Sequence, residues 1–418
     1  MKTEWTEELD AQLKLHLALR KSQNEIAREM GLPYRAITAR LRHLRTQKPV
    51  KPNPVCTDAP NQDLVQYWRK RARELESALV EARQSKTAEE VLTERVLEMA
   101  PKSYSPVPGS FHKLPKEKHG TPQSAVALFS DTHIGAVVSP GQTLGLGNYN
   151  FEIFLRRLRR FERSIASIIR DHTTTEVPEI VIPILGDMLD GALQHSAESG
   201  QVNTMLAQFY QGGHAIAQFL RNLATVAPLR LYGVVGNHPR WQNQHKMPSK
   251  NRNSNFDMML YLYVQALTRD LPDVKWTLDW QPFSTFEVQG FGFYCGHGEN
   301  LRGGDRILGL PAHSMGRMVS TTTQLFARAG RDTPNYFCLG HLHRPIQIPH
   351  AKGEVIINGA FPGIDNFALS EYFNSSYPSQ RFFLMHPKFG KSAEYNLRLD
   401  LGDTEEHGYE LPTQFACQ

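Results

Sequence analysis

Five short stretches of this chain carry residues of the types that hold metal ions or move protons: Asp131-Thr132-His133, Asp187 with Asp190, Asn237-His238, His297, and His341-Leu342-His343. In an extended chain residues i and i+2 point to the same side, so Asp131 and His133 can hold one cation between a carboxylate and an imidazole. His341 and His343 repeat that spacing as a second pair of ligand-type side chains. Singly, such triplets arise by chance; their setting is the signal. Each stretch closes an apolar run, at 125–129, 179–185, 229–235, 291–294 and 336–339. Runs this short predict buried strands that deliver polar residues at their ends. Pro183 is an objection within the second run, because proline brings no N–H to a ladder. Gly236 is expected to permit the tight turn that aims Asn237 and His238 into a common cleft. Helical patterns over roughly 151–171 and 200–224 fall between the first strands, so the body reads as a layered α/β fold with its polar residues clustered beyond the strand ends.

In order, Asp-x-His at 131–133, Gly-Asp-x-x-Asp at 186–190, Gly-Asn-His at 236–238, Gly-His at 296–297 and Gly-His-x-His at 340–343 resemble the signature of the calcineurin-like metallophosphoesterases, over roughly residues 123–390. That resemblance implies a β-sandwich flanked by helices with a centre for two divalent ions. By it, Asp131, His133 and His343 would hold the first ion, Asn237, His297 and His341 the second, and Asp187 would bridge them. Two such ions about 3.5–4 Å apart acidify a water and clamp the attacking and leaving oxygens in line. The oxygen and imidazole donors suit manganese, with iron or zinc as alternatives, and favour magnesium less. His238 would stay unligated, suited to protonate the leaving oxygen or steady charge on the phosphoryl group. Asp190 could orient His238 or a ligand histidine, or be only a carboxylate at a helix N-terminus. His297 rests on the sparsest motif, with His313 a nearby competitor.

Departures from the pattern bear on the ester cut. The protein-phosphatase branch has arginine after the second Asp of Gly-Asp-x-Val-Asp-Arg-Gly, where this chain has Gly191. Residues 130–135, Ser-Asp-Thr-His-Ile-Gly, resemble the DNA-repair exonuclease branch, although Pro239 replaces the Asp that usually follows its Gly-Asn-His. Arg240 and Trp241 could hold a phosphate and stack a base. His195, Arg302, Arg306 and His313 are weaker candidates for substrate contact, and His214, inside a helical pattern, reads as structural.

Charge is uneven along the 418 residues: 22 Lys and Arg against 16 Asp and Glu in 1–122, then 25 against 26 in 123–418. A positive front end on a neutral body suits a polyanion, although solubility alone would also account for it. Residues 1–50 read as a small all-α unit: a helix with Leu9, Leu13 and Leu17, a second capped by Ser22, a break at Gly31-Leu32-Pro33, and a third carrying Arg35, Arg40, Arg42 and Arg45 outward. It resembles a helix-turn-helix of Myb-like character, which makes those arginines the expected nucleic-acid contacts, with protein docking as the alternative. A linker at 51–61, a helical spacer at 62–100 whose 62–83 seam could pair two copies, and a Pro/Lys-rich tether at 101–122 precede the metallophosphoesterase domain at 123–400 and a tail at 401–418. No apolar stretch could span a membrane and no secretion signal opens the chain, so a cytoplasmic location is expected, with Cys56, Cys295, Cys338 and Cys417 as reduced thiols. Together these features predict a DNA-directed phosphodiesterase or nuclease. The alternatives are a phosphatase or phosphodiesterase acting on nucleotides or other small molecules, and a DNA-binding regulator that retains the metal site.

Overall fold

The computed structural model describes residues 26–28, 30, 32–34, 36–38, 40, 120–191, 204–240, 255–279, 281–301, 303, 310–364 and 376–412. The expectations for Arg35, Arg42, Arg45, Trp241, His195, Arg302 and Arg306, the 51–61 linker, the 62–100 spacer and most of the 101–122 tether lie outside these residues. The chain divides into two compact units, Met1–Ser77 and Ala78–Gln418. In the first, helical backbone at 26–28 and again from Tyr34 flanks a turn, with Met30 N donating to the Ile26 carbonyl at 2.9 Å and Leu32 N to that of Ala27 at 3.0 Å. Ile26, Ala27 and Ile37 are buried against Met30 and Leu32, a small core of the kind the apolar spacing requires.

In the second unit the chain order is β1 (Ser124–Ala127), α1 (Phe151–Ser167), β2 (Ile180–Ile184), α2 (Met205–Ala224), β3 (Leu229–Gly233), α3 (Phe256–Leu267), β4 (Val274–Leu278), β5 (Phe283–Val288), β6 (Phe291–Gly296), α4 (Ala312–Arg328), β7 (Tyr336–Leu339), β8 (Gln347–His350), β9 (Gly353–Ile357), β10 (Ser379–His386) and β11 (Gly390–Arg398). The fold is mixed α/β, with one sheet in the order β11-β10-β1-β2-β3-β4 and another in the order β5-β6-β7-β9-β8. β1 to β4 run parallel to one another, as do β6, β7 and β9.

Alternation along the strands shows how the sheets are layered. Val126, Leu128, Val181 and Leu185 of the first sheet share a core with Phe293, Cys295, Cys338 and Ile356 of the second, so the sheets pack face to face. Ala125, Phe129, Ile180 and Ile182 point the other way, into a core with α1, α2 and α3. Phe337 and Leu339 face a third core with Met315 of α4. Strands covered on both faces read as continuous apolar runs, which is why the sequence shows no polar alternation there. Phe129 stacks among Phe161, Phe219 and Phe361, and burying such a ring contributes about 1.5–3 kcal/mol just before the chain reaches Asp131.

Pro183 does lie inside a central strand. The β1–β2 ladder runs to Val126 and Val181 and resumes at a Phe129–Ile184 bridge, and proline falls in the interval between them. Its carbonyl still accepts from Phe129 N at 3.0 Å. Among the described residues no helix is long and apolar enough to cross a membrane.

Candidate metal centre

All five strands that carry the polar stretches end at the same edge of the sandwich. β1 leads to Asp131 and His133, β2 to Asp187 and Asp190, β3 to Asn237 and His238, β6 to His297, and β7 to His341 and His343. Seven described non-glycine residues have positive φ, and five of them are Asp131, His133, Asp187, His341 and His343, at φ of 42° to 64°. Left-handed backbone at a residue with a Cβ costs about 1–3 kcal/mol and persists only where the surroundings impose it. Here the ladder continues through the turns: Asp131 N donates to Gly186 O at 2.9 Å, and His133 N to Asp187 O at 3.1 Å.

The side chains converge in two groups that could hold divalent ions, Asp131–His133–His343 and Asp187–His297–His341. In the first, His133 Nε2 lies 3.1 Å from His343 Nε2, which is 3.3 Å from Asp131 Oδ1. In the second, His297 Nε2 lies 3.0 Å from both Asp187 Oδ2 and Asn237 Oδ1. A third group joins Asp190 Oδ1 to Nδ1 of His133 at 3.4 Å and Nδ1 of His238 at 3.5 Å. Asp190 therefore contacts a prospective ligand and the prospective acid together, and it lies in no helix.

The donor set fits cations. His297 Nδ1 lies 2.7 Å from the Leu185 carbonyl and donates to it, so in a neutral ring Nε2 carries a lone pair aimed at two oxygens. Three acceptors at such distances need positive charge between them. Without a metal, protons supply it. Burial would lower His297, but Asp187 pushes it up to about 10. Burial would raise Asp187, but the charges of His297 and His238 hold it well below the carboxylate range. Against burial, Asp187 and Asp190 push His238 up to about 9. Burial, reinforced by the charge on His297, takes His341 down to about 3.

Several supporting residues carried no signal in the sequence. Asp257, fully buried near the start of α3, accepts from Asp187 N and Gly236 N at 2.9 Å and from Met188 N at 3.1 Å, tying the β2 and β3 turns together. Burial and then the charge of Asp187 push it up to about 7. Asn255 caps α3 through Asp257 N at 2.8 Å and donates to Gly236 O at 2.9 Å. An Asn-x-Asp at a helix start is an ordinary cap, so nothing in it points to a metal. Gly236 is needed for a different reason than its turn. Its φ is not positive, and a Cβ there would sit 2.0 Å from Asp187 Oδ1.

Other expected positions fall as follows. Arg240 turns to Glu299, with Nη2 3.5 Å from Oε1, linking the β3 and β6 ends. Arg40 is half-buried in the first unit. His313 is exposed on α4, while His297 stands among the other side chains. His214 is buried, its Nε2 2.9 Å from the Tyr263 hydroxyl, in a packing role.

No protein-family model matches the sequence, and no curated protein matches it. Solved structures that resemble the chain include an archaeal phosphodiesterase, 12% identical over 65% of this chain and 99% of that one, with a TM-score of 0.32. Vps29 from Entamoeba histolytica complexed with zinc is 10% identical over 66% of this chain and 99% of its own, at 0.28. A conserved predicted phosphoesterase from Streptococcus pneumoniae TIGR4 is 9% identical over 66% and 99%, at 0.26. Likeness at this level carries no argument about activity.

Proposed function

We propose that the chain is a metal-dependent phosphoesterase of the calcineurin-like kind that hydrolyses phosphodiester bonds in DNA. The observation that carries this reading is the convergence of carboxylate, carboxamide and imidazole donors from both sheets, spaced so that protons or bound cations must lie between them. Asp131, His133 and His343 would hold one divalent ion, Asn237, His297 and His341 the other, with Asp187 between. When bound, the pair would supply an acidified water and charge to offset that building on the phosphoryl oxygens. Manganese suits the donors, with iron or zinc as alternatives.

The chain's own residues would do the rest. Asp190 fixes Nδ1 of His238, which leaves Nε2 to protonate the departing oxygen. Arg240, steadied by Glu299, would take a phosphate of the substrate strand. The lean toward DNA rests on the basic excess of residues 1–122 and the helix-turn-helix pattern carrying Arg35, Arg40, Arg42 and Arg45.

The test is the full chain with Mn2+, offered DNA, a chromogenic phosphate bis-ester and a mono-ester. Cleavage of DNA and the bis-ester, abolished by Asp187→Asn, is the expected result. A preference for mono-esters or free nucleotides would move the protein to small-molecule phosphatases, and no hydrolysis at all would refute an enzymatic role.

A further inference from the structure

We infer that Ser130, held in place by Asn358 and Gln380, orients the Asp131 carboxylate by its hydrogen bond to Oδ2, so that Oδ1 is the oxygen presented to a metal. The inference rests on the metal-centre reading above and assigns a role to three buried residues that the centre itself does not use. Ser130 is fully buried, and its Oγ lies 2.5 Å from Asp131 Oδ2. Which of the two groups donates follows from the surrounding bonds.

Arg381 N donates to Asn358 Oδ1 at 2.9 Å, which fixes that amide's orientation and turns its Nδ2 toward Ser130 Oγ at 2.9 Å and Gln380 Oε1 at 2.7 Å. Gln380 is fixed in the same manner: Oε1 also accepts from Ser130 N at 2.9 Å, while Nε2 donates to the carbonyls of Ser130 at 3.2 Å, Gly359 at 2.9 Å and Ser379 at 2.8 Å. Ser130 Oγ therefore accepts a hydrogen bond from Asn358 Nδ2 and donates its own to Asp131 Oδ2. The other carboxylate oxygen faces the opposite way. Oδ1 accepts from His341 N at 3.0 Å and lies 3.3 Å from His343 Nε2.

Gly340 supports the same division. A Cβ at that position would come 2.7 Å from Asp131 Oδ2 and 3.3 Å from Ser130 Oγ, so a bare backbone is what admits the Oδ2–Ser130 pair. Each carboxylate oxygen has two lone pairs, so Oδ1 can accept from His341 N and still meet an ion beside His343, whereas Oδ2 is turned toward Ser130 and Gly340, away from that histidine. Ser130, Asn358 and Gln380 are positioning residues, acting through Asp131 from the ends of β1 and β9 and the start of β10.

The test is calorimetric titration of the metal-free full chain with Mn2+, alongside its denaturant unfolding. Wild type should take up two equivalents, a result that examines the metal-centre reading by itself; uptake of none would overturn that reading and this inference together. Ser130→Ala should weaken one equivalent about 10–100-fold and leave the other within about threefold, as loss of an outer-shell partner does. The metal-free unfolding midpoint should fall while the transition stays single, because buried Asp131 Oδ2 loses its hydrogen bond whereas Asn358 Nδ2 keeps Gln380 Oε1 as a partner. Two unchanged equivalents in Ser130→Ala would overturn the inference and spare the metal centre. Should that variant not fold, Asn358→Asp, equal in size but unable to donate to Ser130, must weaken the same single equivalent.

Discussion

Gly236→Ala gives the most direct access to how the site is built. The added methyl carbon would stand 2.0 Å from Asp187 Oδ1, 2.2 Å from Asp187 N and 2.7 Å from Asp187 Cγ, where ordinary contact begins near 3.4 Å. Two of these atoms belong to the Asp187 side chain but the third is its main-chain nitrogen, so a rotamer change alone cannot clear the clash and the β2 and β3 turns must separate by more than an ångström. Overpacking of this kind costs about 1–3 kcal/mol, at the upper end when main chain must move. Separation also stretches the bonds that Asp257 accepts from Gly236 N and Asp187 N, each worth about 0.5–3 kcal/mol, the range from neutral to charged acceptors that a carboxyl pushed up to about 7 spans. These terms overlap, and we expect a loss of about 3–5 kcal/mol, a large share of a domain's total of about 5–15. Urea unfolding of the metal-free full chain measures it, and Mn2+ titration should show Asp187-dependent binding weakened at least tenfold. Gly316→Ala in α4 is the control, since a Cβ there meets nothing within 4 Å and helix propensity favours alanine by about 1 kcal/mol. A Gly236→Ala variant as stable as that control, with wild-type metal affinity, would refute the reasoning.

Three further outcomes are expected. His238→Ala should lower kcat on a phosphate bis-ester about 10²–10⁴-fold while Mn2+ still binds, as loss of an acid does; an unchanged kcat would remove His238 from the chemistry. Burial takes His214 down to about 4 from its ordinary 6.5, so the folded state binds its proton less tightly than the unfolded chain. Its stabilising contribution is whole above pH 6.5 and lost as pH falls toward 4; in unfolding titrations the advantage of wild type over His214→Gln should shrink by up to about 3 kcal/mol across that window. Leu144 is 84% exposed at φ 56°, so Leu144→Gly should relieve left-handed strain and raise the unfolding free energy by about 0.5–1 kcal/mol without altering metal affinity.

The strands that end at the site were legible because a polar residue closing a short apolar run is a local pattern, and β7 fills its expected span at Tyr336–Leu339. The side chains the sequence singled out for metal are those the fold draws together, His297 included despite its sparse Gly-His. What surrounds them was not legible. Ser130 meets Gln380 across 250 positions and Asp187 meets Asp257 across 70, and Ser, Gln and Asp are too common for such partnerships to leave a local trace. Gly236 was singled out for its turn, yet the constraint on it is a carboxylate from another strand. Pro183 read as an obstacle because its missing N–H looks costly in a strand, and register decides that cost. β4, β5, β8, β9, β10 and β11 were not anticipated, since their partners are set by sheet closure and not by any motif.

The turns are fastened to one another by main chain as much as by side chains. His341 N donates to Asp131 Oδ1 at 3.0 Å, His238 N to Asp187 Oδ1 at 2.8 Å, and His297 Nδ1 to the Leu185 carbonyl at 2.7 Å. Phe361 N closes on the Asp131 carbonyl at 3.0 Å. Every one of these bonds joins two different strand ends, so the positions of the donors are largely fixed before any cation arrives. Such preorganisation explains how five left-handed non-glycine residues persist within one site: relaxing any one of them would break bonds at its neighbours, at a cost comparable to the strain released. A centre held this way tolerates change beyond its turns, where Arg240 stands. Under the proposed function, selection among phosphate esters would diverge there without disturbing the donor geometry.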